Sequence, residues 1–299
     1  MSRLLPRRAT NIPATSGSST ALPIGNLPGW TQIVADDFNY TYPIGSVESN
    51  QQGELLSTCA AYAELHDKFT FYPDGWNTTH GGKVYEILPN EPGYIEPGQP
   101  GYPAYHPAVN SKYYPTKTIY FENSCAKIYH HSENISGVMT ALGAAIKPKL
   151  PSGDYMIGPY ARWQFRMRSQ NVTAAPGNSY WHWVPLGIDS NNWPQNGELD
   201  WPEGDIGKPV AGNYHPASQN NETYHVTSGE DPTQWNIFTV EWTPGRVKWW
   251  CNDAVRLNTT DRVPAAPQAF LFQHESDWRQ PIGTGTVEID WVAMWTYTP

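Results

Sequence analysis

The chain has 299 residues, a net charge of −9 and a composition in which aromatic residues (13%) nearly match charged ones (16%). That length buries a full core as one large domain, and the acidic balance argues against a nucleic-acid partner, which calls for a basic face. No apolar run approaches 18 residues, so no membrane-spanning helix is expected.

In chain order, residues 1–26 carry Arg3, Arg7 and Arg8 ahead of a Ser/Thr/Ala/Pro-rich stretch. They lack the apolar core of a signal peptide and read as a disordered tail, with residues 27–299 as one domain. Cys59, Cys125 and Cys251 form an odd set. A Cys59–Cys125 bridge and buried inert thiols both stay open, and no spacing resembles a zinc site. Leu88 to Pro115 is dense in Pro, Gly and Tyr and reads as a long ordered loop, its tyrosines bordering a groove or packing over the body. Ala161 to Arg168 alternates Trp163, Phe165 and Met167 against Arg162, Gln164, Arg166 and Arg168, which is the period of a half-buried strand. Phe238–Trp242 alternates too, as do Val287, Ile289 and Trp291, and Cys251 falls on a buried strand position. With no long 3.6-residue pattern, helices should be short and few. The expected fold class is all-β, two antiparallel sheets face to face with one of them concave.

The most informative stretch is Asn196–Asp205, NGELDWPEGD. On a strand, Glu198 and Asp200 point one way while Leu199 and Trp201 point the other. The third acid, Glu203, arrives one residue late, after Pro202. A β-bulge would return it to the acidic face, and proline in a sheet favours an edge or a bulge. Retaining glycosidases need two carboxyl groups about 5 to 5.5 Å apart. Glu198 and Glu203 with one bulge between them are roughly 13 Å apart at Cα, using about 3.3 Å per residue, so strand curvature and two long side chains must close the gap. Repulsion among the acids raises the pKa of at least one, leaving a protonated acid near neutral pH. A solvated acidic face and a calcium cluster are the competing readings of the bare pattern.

The flanks add a resemblance. WPQNGELDWPE, Trp193–Glu203, resembles the bulged ExDxxE signature of glycoside hydrolase family 16. GWTQIVADDFN (Gly29–Asn39), GPYARWQFRMRS (Gly158–Ser169), WNIFTVEWTPGRVKWWCNDAV (Trp235–Val255) and VEIDWVAMWTY (Val287–Tyr297) match further strands in order. The family usually has an aliphatic pair where Trp201 and Pro202 stand and a glycine where Ala161 stands. The resemblance implies a concanavalin A-like jelly roll with a concave cleft and a retaining endo-β-1,3-glucanase-like hydrolase. Carried over, Glu198 is the nucleophile, Glu203 the acid/base, and Asp200 the residue that orients the nucleophile. It also implies secretion, for which sequons at Asn39, Asn77, Asn134, Asn171, Asn221 and Asn258 are permissive, no cofactor for catalysis, and a structural calcium away from the acids with unplaced ligands. Candidate sugar contacts are Trp181, Trp183 and Trp193, each alternatively a core residue, with His215 in GNYHP, Gln273 and Glu275 on one face of FLFQHESDW, and Arg162, which otherwise braces the sheet. A polysaccharide is the expected partner and the chain a monomer. The alternative is a lectin-like jelly-roll protein that binds carbohydrate without cleaving it.

Overall fold

The computed structural model describes residues 20–47, 62–153, 155–173, 182–276 and 283–299. In chain order the strands are β1 (Trp30–Asp36), β2 (Phe69–Phe71), β3 (Ser111–Tyr113), β4 (Ile119–Glu122), β5 (Cys125–Ile135), β6 (Val138–Pro148), β7 (Met156–Ile157), β8 (Ala161–Gln170) and β9 (His182–Ile188). They continue as β10 (Glu198–Asp200), β11 (Gly204–Asp205), β12 (Ala211–His215), β13 (Tyr224–Thr227), β14 (Asn236–Thr243), β15 (Arg246–Cys251), β16 (Ala254–Thr259), β17 (Gln268–Glu275) and β18 (Gly285–Tyr297). The two α-helices among the described residues, α1 (Ala63–Lys68) and α2 (Pro115–Thr118), are short, as the missing helical periodicity predicts.

The pairings build a jelly roll of two facing layers. The outer layer centres on β18, flanked by β8 on one side and by β5 and β1 on the other, and continues from β8 through β14 and β15 to β16. The inner layer runs β2–β6–β17–β9–β10–β12–β13. The long β5–β6 hairpin joins them, since the start of β5 pairs with β18 and its end with β6.

Alternation decides what lies between the layers. On β8, Trp163, Phe165 and Met167 point inward, and Trp163 and Phe165 meet Phe270 of the facing sheet at 5.3 and 5.9 Å between ring centroids. Packing is close enough there that a Cβ on Gly187 would lie 2.7 Å from the Trp163 ring, so only glycine fits. The other face of β8 is polar: Arg166 pairs with Asp290, Arg168 with Glu288, and Gln164 donates to Thr239. On β18 the inward phase changes at a register shift between Ile289 and Trp291. Val287 and Ile289 face the core, whereas Trp291, expected to continue that row, donates from Nε1 to the Thr20 carbonyl, and the inward row resumes at Val292 and Met294. Trp295 likewise donates to the Gly25 carbonyl. The segment from Thr20, assigned to a disordered tail by composition, is thus docked against β18 through two indole donors. Cys251 and Cys125 are buried free thiols, pushed by burial up to about 12 and about 11 respectively. Cys59, the other half of the suggested bridge, lies outside the described residues.

Candidate active site

The acid row stands on β10 and the bulge that follows it. Asp200 lies opposite Leu186 of β9, yet Gly204 lies opposite Trp183. Four steps along the acid strand therefore answer three along its neighbour, which is a β-bulge. The other side agrees: Asp200 lies opposite Asn213 of β12, while the Glu203 amide donates to the Ala211 carbonyl at 2.8 Å. The Trp201–Pro202 peptide within this bulge is cis.

Hydrogen bonds show which way the side chains point. Directly paired residues share a sheet face, so Asn213 shares the face of Asp200, and Asn213 Nδ2 donates to Glu203 Oε2. His215, opposite Glu198, places Nε2 3.2 Å from Asp200 Oδ2. One ligand atom each from Glu198, Asp200 and His215 lie within 4.8 Å of one another. Behind the row, Leu199 and Trp201 are fully buried; Trp201 stacks on Trp249 at 5.3 Å and donates from Nε1 to the Trp250 carbonyl at 2.8 Å. Gly212 makes that approach possible, because a Cβ there would sit 2.6 Å from both the Trp201 ring and the Asp200 carbonyl oxygen.

Electrostatics follow from this crowding. Burial, then the neighbouring Asp200 charge, holds Glu198 well above the ordinary carboxylate range, while His215 and a hydrogen bond from Trp193 oppose the shift. Burial, then the Glu203 charge, raises Asp200 in the same direction. Ligand oxygens of Glu198 and Asp200 lie within 4.8 Å of one another, so both carboxyl groups are pushed toward their protonated forms together. Glu198 and Glu203 remain partly open to solvent, while Asp200 is buried.

Of the expected sugar contacts, the structure gathers Trp193 and His215 at the row. Trp193 is 38% exposed and meets the His215 ring edge-on at 6.2 Å. Gln273 lies on the same concave face, half-buried, with Nε2 3.4 Å from Thr79 Oγ1. Trp183 is a correction: pairing with Gly204 turns it into the core, edge-on to Phe238, where no sugar reaches it. Glu275 shares the concave face but is sealed beneath the segment leading to β3, accepting from the Tyr113 hydroxyl and from the Thr79 amide at 3.0 Å. Arg162 is also corrected, since it lies on the outer layer, ion-paired with Glu241 and set over the Trp295 ring. It braces that sheet. Trp181 lies outside the described residues.

Two further residues, Asn213 and Tyr72, stand on this face. Asn213 was legible in principle, being two residues from His215 on a strand and so on its face. Tyr72, packed on Tyr113 at 5.0 Å over an apolar patch of Val184, Leu186 and Leu271, had no signal. Among the described residues, Glu198, Asp200 and His215 form the one cluster of acidic, His and Cys ligand atoms at metal spacing, and it coincides with the acid row.

No family model and no curated protein sequence matches this chain. Solved structures do. The chain is similar in fold to an endo-1,3-β-glucanase from Streptomyces sioyaensis at TM-score 0.59 and 12% identity, covering 93% of this chain and 100% of that one. It is similar to LamAcat from Zobellia galactanivorans (TM-score 0.54, 14% identity, 89% and 98% covered) and to an endo-β-1,3-glucanase from Pyrococcus furiosus (0.54, 15%, 92% and 97%). At such identities the likeness establishes the jelly roll.

Proposed function

We propose that this chain is a secreted retaining endo-glycosidase that cleaves internal β-linkages of a polysaccharide, with β-1,3-glucan as its first substrate. The observation that carries the reading is the bulge that brings Glu198, Asp200 and Glu203 onto one concave face, with the two glutamates partly open to solvent. Structures of the same fold are named as glucanases acting on such linkages, which supports the substrate class.

In this reading a Glu198 oxygen attacks the anomeric carbon while Glu203 passes its proton to the departing glycosidic oxygen, so the C–O bond breaks as a glycosyl ester forms. Asp200, beside Glu198 on the same face, orients the attacking carboxyl and tunes its protonation. Glu203, now ionised, takes a proton from water, and the resulting oxygen displaces Glu198 to give net retention. Asn213 fixes the Glu203 carboxyl, and His215 holds Asp200.

The test is release of reducing ends from laminarin by the wild type and by Glu198→Gln, with proton NMR of the first products. Release by the wild type, its absence in the variant and a β-configured product are expected. Unchanged turnover in the variant, or an inverted anomer, would remove Glu198 as nucleophile. Binding without release by the wild type would favour the lectin alternative.

A further inference from the structure

Among the described residues, the concave face carries a cation that the proposed chemistry does not use. On β6, Ala145 lies opposite Gln273, so Lys147, two residues on, shares the face of the acid row. Thr70 of β2 lies opposite Lys147, and Tyr72, two residues further, lies on the same face. Lys147 Nζ sits 4.3 Å from the centroid of the Tyr155 ring and 5.3 Å from that of Tyr72. Four of the nine lysines, Lys68, Lys117, Lys127 and Lys208, form ion pairs. Lys112 donates to the Gly75 carbonyl and to Asn77. No carboxylate among the described residues comes within ion-pair distance of Lys147, and burial alone lowers its pKa, with no charged neighbour contributing.

An ammonium held half-buried between two rings, with no carboxylate of the described residues paired to it, is poised to receive one from outside. Its position is that of a cleft residue. From β6 to β10 is three strand spacings, about 14 Å, which is within the span of a short oligosaccharide. Tyr72 bridges the interval, since its ring lies under the ammonium while its hydroxyl, raised first by burial, is raised further by Glu275 and then by Glu198. Trp76, 46% exposed and 5.7 Å from Tyr72 between ring centroids, presents an apolar face beside it. Elsewhere this face bears Glu198, Asp200, Glu203 and Glu275, and the chain as a whole is at −9, so a uniformly anionic polymer would be repelled. A single acidic substituent placed at Lys147 would not be.

We propose that Lys147 recognises an anionic substituent, a carboxylate or a sulfate ester, on a sugar of the chain that the acid row cleaves. This rests on the glycosidase reading for the path of the substrate, and the test is a binding measurement so that the two can fail separately. Titration calorimetry compares neutral laminari-oligosaccharides with the same oligosaccharides oxidised to the uronate at C6, and with sulfated ones, on the wild type and on Lys147→Met, which keeps the apolar stem. An acidic oligosaccharide should bind the wild type about tenfold tighter than it binds the variant, neutral binding should be equal in the two, and the advantage should shrink with added salt. The uronate and sulfate arms tell which acid is preferred. Equal loss of neutral and acidic binding in the variant would make Lys147 a packing post, and no loss would make it a bystander; either overturns the proposal. Should Lys147→Met fail to fold, the wild type alone decides, because a preference for the neutral ligand at low salt also overturns it.

Discussion

Trp201 ties the acid row to the core, and its replacement tests whether the bulge is held from behind. It is fully buried, stacked on Trp249 at 5.3 Å, edge-on to Phe238 at 6.0 Å, and its Nε1 donates to the Trp250 carbonyl at 2.8 Å. Trp201→Phe keeps a ring for Trp249 but removes the donor and leaves the Trp250 carbonyl without it, a loss of about 1–3 kcal/mol. Trp201→Ala removes the ring as well, and truncations of buried Trp cost about 3–5 kcal/mol. Urea unfolding measures both. With a slope near the upper end of about 1–3 kcal/mol/M, the alanine variant's midpoint should fall by on the order of 1 M, and the phenylalanine variant's by roughly half of that. Because Trp201 separates Asp200 from the bulge that aims Glu203, hydrolysis should fall in Trp201→Phe under conditions where the protein is still fully folded. A phenylalanine variant with both midpoint and turnover unchanged would refute the argument that this indole sets the bulge.

Asp200→Asn should trade activity for stability. Burial raises Asp200 in the folded state, so the folded protein holds that proton more tightly than the unfolded chain does. The stability this contributes is present below the unfolded value of about 3.9 and is lost as pH rises through the folded one. Asparagine has no such loss, so thermal melting should show the variant above the wild type at pH 8, with the two converging near pH 3 as hydrolysis is lost. A variant less stable at pH 8 than at pH 3, relative to wild type, contradicts the sign. Asn213→Ala removes the donor to Glu203. A hydrogen bond to a neutral carboxyl is worth about 0.5–1.5 kcal/mol, so kcat should fall about 2- to 10-fold with an unchanged circular-dichroism spectrum; a change confined to KM would show that Asn213 serves the sugar instead.

The sandwich and the acid row were legible because both rest on local rules. Alternation on β8 and β14 reports one buried face, and an acid arriving one residue late behind a proline reports a bulge whatever surrounds it. What could not be read is which face of a strand becomes the groove. Trp183 and any residue two positions away must share a face, but only the pairing of Glu198 with Ile188 and of Gly204 with Trp183 assigns Trp183 to the core side and Val184, Leu186 and Ile188 to the other. Arg162 failed for a related reason: its strand is half-buried as predicted, yet it belongs to the outer layer, and layer membership is set by partners distant in sequence. Glu275 was placed on the correct face and still proved inaccessible, because the segment carrying Thr79 and Tyr113 closes over it. The phase change on β18 is likewise a property of the ladder rather than of the sequence run.

These contacts make the two faces of one short strand do opposite things. On the concave side, burial and crowding raise both Glu198 and Asp200, which lowers stability as pH rises. On the other, Leu199 and Trp201 are fully buried and stacked into the main core. A strand carrying the acids alone would relieve the crowding by moving apart from its neighbours. Here it is pinned, with Gly212 allowing the Trp201 ring to come close against β12 and the Trp250 carbonyl receiving its donor. The crowding therefore persists in the folded protein, and with it the upward shift of both carboxyl groups.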